Sequence, residues 1–120
     1  HVDWFPTLCD LTGAAPPAGV ALDGRSLLPV LKDPAAAWPD RLLFTHVGRW
    51  KKGEADRSKY LNCAVRDGRF ALVSAAKDGR KAWELFDLAA DPGQQTDVLA
   101  KFPDAAKKLE AAYDGWWAAV

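Results

Sequence analysis

Apolar and polar positions alternate along this chain with two periods, and the period changes from helical to extended near residue 41. Between Asp3 and Thr12, Trp4, Leu8 and Leu11 recur at helical spacing. Asp3 stands where it can cap such a helix, and Gly13 suits its C-terminal end. Residues 14–19 are rich in Pro and Ala and read as a linker. Asp23-Gly24-Arg25-Ser26 opens a second short helix over residues 27–32, which Asp33-Pro34 ends.

From Arg41 the pattern is extended. Residues 41–47 are almost continuously apolar and predict a strand, followed by a polar, basic loop over residues 48–59. Residues 62–66 and 69–74 predict two further strands, joined by a two-residue turn at Asp67-Gly68. A turn at residues 77–80 leads to a strand over residues 82–88. There, from Trp83 to Leu88, apolar residues alternate with acids, as on a half-buried strand. Asp91-Pro92-Gly93 then stops the ladder: Pro has no N–H to donate, and Gly can take a positive φ. Pro103 fits the first turn of a C-terminal helix. The stripe Phe102, Ala106, Leu109, Tyr113, Trp116 or Trp117, and Val120 gives that helix one apolar face. The expected fold class is α+β. A small antiparallel sheet of about four strands is packed by a C-terminal amphipathic helix and preceded by short helices and a linker.

Composition narrows the partners. A chain of 120 residues, 49% hydrophobic and 27% charged, can bury a modest core and is not of disordered composition. Its 16 basic and 16 acidic residues cancel, so no global field draws it to nucleic acid or to an anionic membrane surface. No apolar run is long enough to cross a bilayer. Cys9 and Cys63 read as free buried thiols, with one disulfide as the alternative. The chain opens inside a helical pattern, without Met or a signal peptide, which suggests a piece of a longer protein.

Three segments carry a family pattern. They are Asp3, Pro6, Thr7, Leu8 and Gly13; then Leu22, Asp23, Gly24, Ser26, Leu27, Pro29 and Leu31; then Glu84-Leu85-Phe86-Asp87-Leu88, Asp91-Pro92 and Asp97. In this order and separation they resemble the C-terminal region of the type I sulfatases, of the alkaline-phosphatase-like superfamily. Phe86 stands where Tyr is usual, Gln94 or Gln95 where Glu is usual, and Asp97 where Asn is usual. The resemblance implies that residues 1–40 are the end of a large-domain helix plus a connecting segment, and residues 41–120 a C-terminal subdomain. It also implies an N-terminal sulfatase domain of the same polypeptide as partner, and a sulfated small molecule or glycan as substrate. The parent would carry formylglycine and Ca²⁺ and be exported or lysosomal.

The chemistry of that family is not expected in these residues. Its nucleophile forms from Cys or Ser in a Cys/Ser-x-Pro-x-Arg motif. Cys9 is followed by Asp10-Leu11-Thr12 and Cys63 by Ala64-Val65-Arg66, so neither fits. No catalytic residue and no metal ligand is assigned, no cofactor is expected in this chain, and His1 receives no role. Asp87, Asp91 and Asp97 lack the tight alternation of a calcium loop. Asp91 and Asp97 read instead as acceptors for turn and helix-start N–H groups.

The candidate substrate-binding residues are His46, Arg49, Trp50 and Lys51. A neutral imidazole can hydrogen-bond a sulfate, Arg can fork onto an anion, and Trp50 can stack on a sugar or aryl ring. A solvated basic loop beside an edge-strand histidine would contain the same residues. Trp83, Trp116 and Trp117 fall in the core pattern, while Trp4 and Phe5 suit packing against a preceding domain. Two other functions compete with the sulfatase tail. One is a free-standing anionic-glycan-binding module using Arg49, Lys51, Lys52, Arg57 and Lys59. The other is the tail of a phosphate or phosphonate ester hydrolase.

Overall fold

The computed structural model describes residues 1–120. It divides into two compact units, His1–Pro39 and Asp40–Val120.

In the first unit, helix α1 spans Trp4–Thr12 and α2 spans Leu28–Lys32. Gly13 ends α1 in the left-handed region at φ 71°, and Ala14 N–H donates to Cys9 O at 3.0 Å. The unit is held by side chains from the quoted motifs. Asp3 Oδ1 accepts from Arg25 N–H at 2.9 Å. Thr7 Oγ1 accepts from Leu27 N–H at 2.9 Å and donates to Asp3 O at 2.6 Å. A Cβ on Gly24 would lie 2.0 Å from Val2 O, so only glycine allows that approach. The carboxylate of Asp3 therefore serves a distant strand of chain and makes no cap to α1. The face of α1 is also inverted relative to its pattern: Thr7 and Cys9 are buried, while Trp4, Phe5, Leu8 and Leu11 are 63, 48, 53 and 57% exposed.

The second unit is a four-stranded antiparallel meander in the order β1-β2-β3-β4. β1 is Leu43–His46, β2 Cys63–Arg66, β3 Phe70–Ser74 and β4 Glu84–Asp87, and α3 spans Pro103–Ala119. The register aligns Phe44, Val65, Leu72 and Leu85 across one face. Ala106, Leu109 and Tyr113 of α3 pack into that row and complete the core. Phe44 stacks on Trp116 at 5.1 Å between centroids, with the planes 3° apart. Val120, expected on the stripe, is 82% exposed because the helix has run past the sheet.

Three local expectations are corrected. The β2–β3 reversal sits one residue later than Asp67-Gly68: Arg66 pairs with Ala71, and Asp67 N–H donates to Phe70 O at 3.0 Å. The Asp67 carboxylate closes the turn by accepting from Arg69 N–H at 2.8 Å and Phe70 N–H at 2.7 Å. β4 is not half-exposed: Leu85, Phe86 and Asp87 are all buried. Asp87 tolerates this because Arg69 binds it through Nη2 at 2.7 Å and Nε at 3.2 Å. Beyond β4 the positive φ falls on Gln94, at 52°, and not on Gly93.

The acids after β4 act as acceptors. Asp91 Oδ2 takes Gln95 N–H at 2.7 Å and Thr96 N–H at 2.8 Å. Asp97 Oδ1 takes Leu99 N–H at 2.9 Å and, from the outer edge of β4, Leu85 N–H at 3.0 Å. Val98 N–H then donates to Leu85 O at 2.8 Å. Asp97 thus covers the edge of the sheet and does not start α3, whose first residue is Pro103. Asn in the same place would offer the same acceptor oxygen, which makes this departure from the family pattern mild.

Candidate functional site

The candidate residues lie where β1 runs out into the loop over residues 48–59. Val47 N–H still donates to Asn62 O at 3.2 Å, continuing the pairing of β1 with the chain before β2. Gly48 then turns at φ 62°. The loop is polar but not shapeless: Glu54 N–H donates to Lys51 O at 3.0 Å, and a short 3-10 helix spans Asp56–Ser58. Ser58 is buried and its Oγ donates to Glu54 O at 2.9 Å. Sequence reasoning passed over Ser58, since a lone serine in a basic stretch gives no burial signal.

His46 closes the loop from β1. Its Nε2 lies 2.8 Å from Ser58 O, and its Nδ1 accepts from Gly48 N–H at 2.9 Å. A carbonyl can only accept, so Nε2 carries the proton and the ring is the neutral Nε2–H tautomer. The ring packs against Trp50, 5.2 Å away at 79°, and against Trp117 of α3, 5.0 Å away. Trp50 and Trp117 meet at 5.8 Å. Trp117 packs against the core, as its pattern predicts, and also supports the loop. Trp50 stays 39% exposed, and Arg49, Lys51 and Lys52 are exposed around it.

The far end of the loop is anchored separately. Lys59 Nζ pairs with Asp114 Oδ1 at 2.8 Å, and Tyr60 Oη donates to the same oxygen at 3.2 Å. The bond to Asp114 holds the Lys59 ammonium above its usual range. Lys59 is thereby spent within the fold, while Arg57 remains exposed. The Tyr113 hydroxyl donates to Lys59 O. Burial pushes both the Tyr113 phenol and the Cys63 thiol upward, so both stay neutral near pH 7. The arrangement presents three cations, Arg49, Lys51 and Lys52, beside a packed indole, a geometry that suits an anion attached to a ring.

No group of three His, Cys, Asp or Glu side chains converges as a metal site. Cys9 and Cys63 are free and buried. No helix is long and apolar enough to cross a membrane.

A family model described as N-sulphoglucosamine sulphohydrolase, C-terminal, matches residues 1–112. The chain belongs to that sulfatase C-terminal family. Arylsulfatase K of Mus musculus is 30% identical over 114 residues, covering 91% of this chain and 19% of that protein. N-acetylglucosamine-6-O-sulfatase of Bacteroides thetaiotaomicron is 28% identical over 112 residues, covering 92% of this chain and 19% of that protein. The sulfatase C-terminal domain thus spans about a fifth of the length of these curated relatives. Ps i-CgsB, solved in complex with k-i-k-neocarrahexaose, shares the fold with a TM-score of 0.74 at 19% identity, over 96% of this chain and 23% of its own. The phosphonate monoester hydrolase of Agrobacterium radiobacter aligns at 30% identity with a TM-score of 0.52, over 92% of this chain and 24% of its own.

Proposed function

We propose that the intact polypeptide hydrolyses sulfate esters, and that this chain completes its fold and supplies a substrate-facing loop without the nucleophile. The observation that carries this is the family match over residues 1–112. The partner is the N-terminal domain of the same polypeptide, against which the exposed apolar face of α1 packs. The substrate is a sulfated glycan or other sulfated small molecule. Formylglycine and Ca²⁺, which the sulfatase resemblance implies, do not fit the residues present. Neither cysteine has Pro two residues on and Arg four on, and the carboxylates of Asp87, Asp91 and Asp97 are spent on main-chain N–H groups and on Arg69. Both belong to the preceding domain.

In this reading Arg49 binds a sulfate or neighbouring anionic group through its fork of donors, and Lys51 adds a point charge. Trp50, fixed edge-on by His46 and Trp117, offers a ring face to the sugar or aryl group. His46 sets the loop. In the intact enzyme, changing Arg49 or Lys51 to Ala should raise KM about three- to tenfold and leave kcat nearly unchanged, since exposed charge contacts are made equally in ground and transition states. Sulfate release from 4-nitrophenyl sulfate and from sulfated oligosaccharides is the direct test. The intact polypeptide should release it and the 120-residue chain by itself should not. Cleavage by the chain alone would overturn the proposal.

The phosphonate-ester reading has the Agrobacterium structure behind it, which fits less well, with a TM-score of 0.52 against 0.74 for Ps i-CgsB. The ratio of kcat/KM for an aryl sulfate against an aryl phosphonate in the intact enzyme decides between them. The glycan-binding module is tested by heparin retention of the isolated chain at physiological salt, lost on changing Arg49 and Lys51.

A further inference from the structure

His46 spends both ring nitrogens on main-chain groups that lie on opposite sides of one loop. Nε2 reaches Ser58 O at 2.8 Å, and Nδ1 receives Gly48 N–H at 2.9 Å. The two contacts join the first residue of the loop to a buried residue near its end. A ring committed in this way has no nitrogen left for a substrate oxygen. We infer that His46 is a proton-sensitive positioning residue, which holds the Arg49–Lys51 tip in place while neutral and releases it when the imidazole takes a second proton.

The sign follows from donor counting. Neutral His46 is a donor at Nε2 and an acceptor at Nδ1, and both partners are satisfied. The second proton adds to Nδ1. The Gly48 N–H then faces an N–H and both donors lose their acceptor, while the Nε2–H bond to Ser58 O survives. The bond that fails is the one at the start of the tip. Gly48, at φ 62°, has open space where a Cβ would stand. Loop ordering is thus present while the imidazole is neutral and lost once it takes the second proton.

Charged and titratable groups stand on each element around the ring. On β2, Cys63 pairs in register with His46, and its buried thiol is neutral. On α3, Asp114 stands one turn before Trp117 and is already bonded to Lys59 and Tyr60. In the loop, Arg49 and Lys51 flank Trp50, while Glu54 and Asp56 stand at its far end, next to Ser58. Both ring nitrogens are on main-chain partners and neither bonds a carboxylate.

The inference rests on the proposed function only in its consequence for substrate, so the test has two arms. The first uses the intact polypeptide with ¹⁵N-labelled His and Gly. Near pH 8 the His46 imidazole should give the Nε2–H tautomer, and the Gly48 amide should shift in step with its protonation as the pH falls to 5. His46→Asn keeps an acceptor near the Nδ1 position that cannot be protonated in this range, so its Gly48 amide should stay constant. A Nδ1–H tautomer, or a wild-type Gly48 amide that ignores the titration, overturns the inference even if the variant fails to fold. The second arm measures KM for a sulfated disaccharide. Between pH 7.5 and 5.5 it should rise roughly fivefold more in the wild type than in His46→Asn, the scale of one neutral hydrogen bond. Equal pH dependence together with the expected Gly48 response would leave the proton-sensitive hold standing and sink the substrate-facing reading of the loop.

Discussion

Gly79 shows how much one residue can carry. It takes φ 72°, and a Cβ there would lie 2.0 Å from Arg57 O, so the turn after β3 seats directly on the short helix at the end of the loop. Gly53, at φ 83°, has open space where a Cβ would stand. Gly53→Ala should therefore cost only the backbone term, about 1 kcal/mol, whereas Gly79→Ala adds a clash with a carbonyl and should cost about 2–3 kcal/mol. Urea midpoints of the two variants check the difference. Asp87 gives a pH prediction at the same scale. Its hydrogen bonds with Arg69 hold the carboxyl below the usual range. The associated stability is present above about pH 4, where an unfolded carboxyl titrates, and is lost as the pH falls through the lower folded range. Arg69→Gln should move the acid-unfolding midpoint to higher pH, read by circular dichroism. Such roles are hard to read from sequence. Asp91 and Asp97 announce that they accept from something, but only the folded chain shows that Asp97 reaches back twelve residues to Leu85 N–H.

Among elements, α3 was the most legible, because its period-3.6 stripe depends on local spacing alone. Leu109, fully buried, should cost about 2–4 kcal/mol on change to Ala, while Val120→Ala should stay within about 0.5 kcal/mol. Thermal melts of both variants test whether the stripe ends at the sheet. The choice between Trp116 and Trp117 could not be made from spacing. Successive helix positions differ by about 100°, so the two rings leave α3 on either side of Tyr113. Trp116 goes to Phe44, and Trp117 to the loop beside His46. Strand existence was legible for the same reason as α3, since the pattern of each strand is local. The details of the β2–β3 reversal depend on which oxygen closes it, and an Asp carboxylate displaced the expected turn by one residue. At the β4 edge, Asp97→Ala removes the acceptor for Leu85 N–H and should cost about 1–2 kcal/mol, while Asp97→Asn should be close to neutral. Hydrogen exchange at Leu85 reads this directly.

At the scale of the whole molecule, the first unit exposes a helix face of Trp4, Phe5, Leu8 and Leu11 that water does not favour. The 120-residue polypeptide by itself should associate with rising concentration in sedimentation experiments, and Trp4→Lys with Leu8→Lys should suppress this. A monomer at all concentrations would count against that reading. The exposure of Trp4 and Phe5 was legible as a face for a preceding domain, but that of Leu8 and Leu11 was not, because periodicity marks an apolar face without saying what covers it. The candidate site was partly legible: the basic residues and Trp50 could be named, but the wiring of His46 to Ser58 and Gly48 joins positions with no local signature. That wiring has a wider consequence. With one pin at His46–Ser58 and another at Tyr113–Lys59, the stretch from Arg49 to Gly53 behaves like an interchangeable bit in a fixed chuck. Transplanting tips of other charges there, with Trp50 kept against His46 and Trp117, should leave the melting temperature almost untouched, so new substrate preferences can be tried on this scaffold without rebuilding it.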